Sequence, residues 1–205
     1  SSEILILAVK PKDAIALLSE ISEIQRNLLI VSIVAGLSQE KVRELSACKR
    51  CIRVMPNTPS LVSAGVIAIE DKRDDTAESQ SDYSNVIELF SNVGTCYLIP
   101  SAGCMDVVTA LSGSSPALFA ILNEAMVDAA VAEGLPRKLA EDLCRETMLG
   151  TAKLLQTCHA MQLKADVMSP GGTTAAGIMA LEENGFQRAA HAFIQAASEK
   201  SRSLL

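Results

Sequence analysis

The chain has 205 residues, 49% of them hydrophobic and 20% charged, with a formal net charge of -6. That acidity removes any general attraction for nucleic acid or an anionic membrane, and 3% aromatic content without Trp leaves no stacking platform for single strands. No run approaches about 18 uninterrupted apolar residues, so no transmembrane helix is expected, and no basic, cleavable leader is visible.

The first half alternates short apolar runs with helical patterns. Residues Glu3 to Val9 form an apolar run with the character of a buried strand, and Pro11 opens a helix with a stripe of Ala14, Leu17, Leu18 and Ile21. A second strand follows at Leu28 to Val34, a helix capped by Ser38 reaches about Ala47, and Cys51 to Val54 is a third strand. Continuous rather than alternating apolar runs point to strands covered on both faces, hence a mostly parallel sheet. After the Pro56 to Pro59 loop come a strand at Gly65 to Glu70, a helix at Thr76 to Phe90 and a strand at Thr95 to Ile99.

From Ala102 onward the strand signals cease. Helical periodicity runs from 104 to 133, with a kink or break expected at Ser112-Gly-Ser-Ser-Pro116. Gly134 and Pro136 separate this helix from one spanning Pro136 to about Cys158, and two more are expected at 172 to 183 and 186 to 204. The fold class is therefore α/β plus all-α. A partial Rossmann-like domain occupies 1–100 and a helical domain 101–205. The long Ala-rich helices are apolar on more than one face, which predicts burial against a second copy in a homodimer.

Six cysteines lie at 48, 51, 96, 104, 144 and 158 without a regular framework, which favours reduced thiols in an intracellular, cytoplasmic setting, with a mitochondrial one as the alternative. Cys48-Lys-Arg-Cys51 has CxxC spacing but precedes a strand and has no second pair, so neither a metal site nor a redox motif is expected.

Chemistry concentrates at Ser169-Pro-Gly-Gly-Thr-Thr174. Two glycines and three hydroxyls sit where a helix begins, and free N–H groups at such a start form an anion site. Ser169, Thr173 and Thr174 offer hydroxyls to a carboxylate or phosphate, while Gly171 and Gly172 permit close approach of backbone. The alternative is an ordinary helix start with no ligand. No GxGxxG occurs among the 11 glycines, so no dinucleotide fingerprint is present in these residues.

Ala8-Val-Lys-Pro11, Met55-Pro-Asn-Thr-Pro59, Thr109 to Pro116 and Leu163 to Thr174 occur in an order and spacing that resembles the pyrroline-5-carboxylate reductase family, over essentially the whole chain. The resemblance implies a Rossmann unit with roughly 60 further residues upstream. It implies hydride transfer from NADPH or NADH to the C=N bond of 1-pyrroline-5-carboxylate, giving L-proline, in a homodimer that can assemble into a larger ring. Ser169, Gly172, Thr173 and Thr174 then bind substrate, with Thr174 at the imine nitrogen as the candidate catalytic residue. Cofactor contacts fall to Ala8, Val9, Lys10 and Pro11, to Ile33, Val34 and Ala35, to Asn57 in its polar turn, and to Pro116 beside the nicotinamide.

This sequence departs from the family pattern at three places. Ser115 replaces a glycine, Ala102 an acidic residue and Asp166 a neutral one. A non-catalytic paralogue or assembly subunit of the same fold is therefore an alternative. A related imine or β-hydroxyacid dehydrogenase is another, although such enzymes carry a catalytic lysine in the long helix and residues 104 to 133 contain none.

Overall fold

A computed structural model describes residues 4–23 and 27–204. The first strand, β1, spans Ile4–Leu7, and Glu3 of the expected strand lies outside the described residues. Helix α1 (Pro11–Ser22) starts at a proline, which suits the first helical position because its missing N–H has no helical acceptor there. Next come β2 (Leu29–Ser32), α2 (Gln39–Ser46) and β3 (Arg50–Met55), with Ser38 accepting a hydrogen bond from Lys41 N at 3.2 Å to cap α2. A 3-10 turn at Thr58–Val62 leads to β4 (Gly65–Glu70), α3 (Ala77–Ser91) and β5 (Gly94–Ile99).

The sheet order is β1-β2-β3-β4-β5. Neighbours pair in parallel except β3 with β4, which are antiparallel. Every residue of β2 is buried, as expected for a strand covered on both faces. Leu7, Ala14, Leu18, Ile30 and Val42 form one apolar cluster, while Val31, Ile52, Ile67, Tyr83 and Val86 form another.

Beyond the sheet, α4 (Ala102–Val108) passes into a π-helical segment (Thr109–Ser114) and then α5 (Ser115–Ala132). The kink or break expected at Ser112 to Pro116 is one wider turn inside a helix that continues through it. The hydroxyls of Ser112, Ser114 and Ser115 donate back to the carbonyls of Val108, Thr109 and Ala110, at 2.9, 3.3 and 3.4 Å, and help hold that turn. The 31 residues Ala102–Ala132 are long and apolar enough to cross a membrane by length and composition, and 22% of the most apolar window is buried within the chain. Interrupting polar residues had hidden this from a search for unbroken apolar runs.

Helix α6 (Arg137–Leu154) is shorter than expected, and α7 (Ala160–Val167), α8 (Thr173–Glu183) and α9 (Phe186–Arg202) follow. The expected single helix to Cys158 ends early because Thr157 Oγ1 and Cys158 Sγ turn back onto Leu154 O. Residues up to Pro116 together with the segment from Phe193 form one compact unit, and Ala117–Ala192 a second. The first unit thus includes α4, which contacts β4 and β5 and whose Met105 is fully buried. In the second unit Val127, Ala140 and Cys144 make a small core, and Phe119, Ile121, Leu143 and Leu149 remain at least half exposed.

Candidate active site

Strands β1, β2 and β3 run in parallel, so their carboxyl ends share one edge of the sheet, the place where such sheets gather ligands. Ala8, Val9 and Lys10 follow β1 and are exposed there. Lys10 holds extended backbone before Pro11 starts α1, and its carbonyl accepts from Asp13 N at 2.9 Å, fixing the turn. After β2, Ile33 N donates to Leu7 O at 3.1 Å, which carries the ladder one residue further and keeps the two segments side by side. Ile33 and Ala35 are half-buried, whereas Val34 is 3% exposed within the apolar core. Of these three residues, Val34 can therefore offer a ligand only its backbone.

Asn57 follows β3 at the same edge, but both ends of its amide are engaged. Its Nδ2 donates to Ser112 O at 3.1 Å and its Oδ1 accepts from Val66 N at 2.9 Å. The side chain of Asn57 thereby seats the π segment against the sheet. Half-buried Pro116 is the second residue of α5, just past the π segment.

Nearby is a polar cluster that the sequence reading did not single out. Arg53, in the middle of β3, is 3% exposed, and its Nη2 lies 3.8 Å from Asp106 Oδ1 on α4 without a hydrogen bond. Ser201 Oγ donates to the same Asp106 oxygen at 2.7 Å. The signal was available: one charge inside the apolar run Cys51-Ile-Arg-Val-Met55 must find a partner when the strand is buried.

The Ser169–Thr174 segment lies in the second unit. Gly172 N donates to Ser169 O at 3.0 Å, closing a turn with Pro170 second and left-handed Gly171 (φ +70°) third, the residue pattern of type II. Gly172 occupies the N-cap position of α8, and no side chain caps that helix. Thr173, Thr174 and Ala175 have no carbonyl one turn back to receive their N–H groups, so the helix presents an uncapped positive end. The expectation for Gly172 changes in one respect: its N–H is consumed by the turn, and its contribution is the missing side chain. A Cβ added there would overlap Ser169 Oγ and lie 3.2 Å from Ser169 O. Ser169 is exposed and Thr174 half-buried.

The three departures from the resembled pattern cause little local disturbance. Ser115 is 5% exposed and its hydroxyl turns back to Ala110 O. Ala102 is the first residue of α4, where Ser101 Oγ accepts from Cys104 N at 3.3 Å. Asp166 accepts from Gln162 Nε2 at 2.6 Å on an exposed helix face. Cys48 and Cys51 are free and buried, and burial, only partly opposed by Arg43, pushes the Cys51 thiol up to about 12. Among the described residues no group of three or more His, Cys, Asp or Glu could hold a metal ion.

Residues 103–204 match the family model for pyrroline-5-carboxylate reductase dimerisation. Pyrroline-5-carboxylate reductase of Synechocystis sp. is 39% identical over 209 residues, covering 99% of this chain and 75% of the relative. The enzyme of that name from Methanosarcina acetivorans is 42% identical over 207 residues, covering 99% and 75%. Among solved structures, Plasmodium falciparum pyrroline carboxylate reductase with NADP bound superposes with a TM-score of 0.90 at 33% identity, covering 98% of this chain and 77% of that one. A pyrroline-5-carboxylate reductase from Coxiella burnetii gives 0.86 at 29% identity, covering 100% and 76%.

Proposed function

This chain belongs to the pyrroline-5-carboxylate reductase family, and from that membership we propose that the uncapped start of α8 is its substrate-carboxylate site. The protein is an NAD(P)H-dependent oxidoreductase that reduces the C=N bond of 1-pyrroline-5-carboxylate to L-proline. The uncapped N-terminus of α8 carries the site proposal, because positive helix ends and outward N–H groups suit a carboxylate.

In this reading the Thr173 and Thr174 N–H groups and the Ser169 hydroxyl hold the carboxylate, which sets the orientation of the ring. Gly172 keeps the wall thin enough for the ring to approach. The Thr174 hydroxyl lies at the imine nitrogen, where it orients an iminium already protonated from solvent. A threonine hydroxyl is too weak an acid to act unaided, so its role is positioning before proton transfer. Reduction then breaks the C=N π bond: the carbon gains a hydride and the protonated nitrogen becomes the secondary amine of proline.

For the dinucleotide, the strand-end edge fits. Ala8 and Ala35 are small, Val9 is apolar and 36% exposed, and Lys10 places a cation where a phosphate can meet it. The backbones of Pro11, Ile33, Val34 and Asn57 and the ring of Pro116 complete the proposed set. When bound there, NADPH or NADH supplies the hydride.

The helical part serves a homo-oligomer. A larger ring assembled from dimers is our proposal, as is a cytoplasmic location, for which six free cysteines are the support. Turnover of pyrroline-5-carboxylate with each nicotinamide, with and without Thr174→Ala, tests the reading. A sharp fall in the variant supports it. Equal turnover by a folded Thr174→Ala enzyme refutes the role of Thr174, and no turnover by the intact oligomer favours a non-catalytic paralogue.

A further inference from the structure

We propose that Asp106 is a positioning residue for cofactor binding, acting through Arg53 and Ser201 to fix the loop that follows β2. The proposal rests on the reading that Ile33 to Ala35 meet the cofactor. Ser32 and Arg53 are register partners in β2 and β3, so their side chains leave the same face of the sheet. On that face Ser32 Oγ accepts from Val34 N at 3.4 Å and thereby shapes the start of the loop. Beside it Arg53 reaches Asp106 on α4, and Ser201 near the end of α9 donates to Asp106.

The end of α9 and the turn after it close the arrangement. Leu204 lies against Gly36, where an added Cβ would sit 2.8 Å from Leu204 Cβ and 3.5 Å from Ser201 O. Asp106 therefore ties α9 to α4, while α9 backs the loop one residue beyond Ala35. One carboxylate links the β2 loop, the helix leading to Pro116, and the C-terminal turn.

Stability is a poor explanation for this cluster. Ser32, Arg53 and Ser201 are each at most 4% exposed, and Arg53 Nη2 has no hydrogen-bond partner. Incompletely satisfied polar groups in an interior cost more than apolar packing would. A cluster of this kind fixes position more than it stabilises, and the position it fixes is one wall of the cofactor edge.

The test uses the whole enzyme with Ser201→Ala, Asp106→Asn, Ser201→Thr and, as a control on the cofactor edge, Lys10→Ala. Steady-state kinetics, NADPH binding by fluorescence titration and thermal melting are measured for each. Loss of the Ser201 bond is expected to raise both Kd and KM for NADPH roughly three- to tenfold while leaving kcat and the KM for pyrroline-5-carboxylate unchanged. Ser201→Thr, which keeps the hydroxyl, restores NADPH affinity. Asp106→Asn weakens NADPH at least as much as Ser201→Ala. The proposal is overturned if folded Ser201→Ala and Asp106→Asn bind NADPH normally while Lys10→Ala does not. If Lys10→Ala also binds normally, the cofactor edge itself falls and takes this proposal with it. A fall in melting temperature with no change in NADPH affinity marks a purely structural cluster and equally overturns it.

Discussion

Gly171 and Gly172 are neighbours whose replacement by alanine should fail in different ways. At Gly171, with φ +70°, the backbone is left-handed, yet an added Cβ meets nothing within 4 Å. Gly171→Ala should therefore cost about 1–2 kcal/mol from backbone strain alone, without displacing any neighbour. At Gly172 the backbone is ordinary (φ -81°, ψ 172°), but the new methyl overlaps Ser169 Oγ and crowds Ser169 O at 3.2 Å. Rotating an exposed hydroxyl away is cheap, so Gly172→Ala should cost stability only on the order of 0.5–1 kcal/mol. Its damage is to geometry: Ser169 moves and the proposed carboxylate site loses one donor and its thin wall. A rise in KM for pyrroline-5-carboxylate of roughly tenfold is expected, with NADPH affinity unchanged. Differential scanning fluorimetry and steady-state kinetics on both variants check this. Adding Ser169→Ala to Gly172→Ala should remove the overlap, change stability little and leave KM high. If Gly171→Ala raises the substrate KM more than Gly172→Ala does, the overlap argument is wrong.

Asn57→Asp keeps the acceptor for Val66 N but removes the donor to Ser112 O, so a loss of about 1–3 kcal/mol is expected, read as a lower urea midpoint. Glu40 is held below the usual carboxylate range, chiefly by its hydrogen bond from Lys72. A carboxylate with a depressed folded value stabilises above its unfolded value near 4.5 and loses that contribution as pH falls through the folded one. The melting-temperature gap between the native protein and Glu40→Gln should therefore shrink between neutral pH and acid below 4.5, and a gap independent of pH would contradict this. Cys51, raised to about 12 by burial, should resist alkylation at pH 8, while exposed Cys104 reacts first under mass-spectrometric mapping. Ile121, 61% exposed on α5, should lie in the oligomer contact, and Ile121→Asp should shift sedimentation toward smaller species.

The strands were legible because each apolar run is bounded by polar residues, and the α8 start because Pro-Gly-Gly punctuates it. Helix α7 was not, and neither was the end of α6 at Leu154, where the turn depends on Thr157 and Cys158 folding back. The wide turn at Thr109–Ser114 was read as a kink or break because proline marks a lost hydrogen bond without saying how the helix accommodates it. Asn57, which holds that segment at Ser112, stands 55 positions away in sequence. Such pairings are tertiary, and local pattern carries no trace of them. The same distance hid the partnership of Arg53 with Asp106 and Ser201, although a lone charge in a buried strand announced that some partner existed.

The reversal between β3 and β4 decides where the long helix delivers its residues. Because β4 and β5 run against the first three strands, β5 finishes at the edge where β2 and β3 begin. The helix after it must then climb alongside β3. Its contacts show this ascent, with Arg53 meeting Asp106, Met55 lying 3.3 Å from where a Cβ on Gly113 would be, and Asn57 holding Ser112. Had β4 and β5 followed the parallel pattern, the helix would start at the ligand edge and carry Ser112 to Pro116 away from it. One change of strand direction thus works as a hoist, lifting the π segment to the height of Ala8 and Ala35.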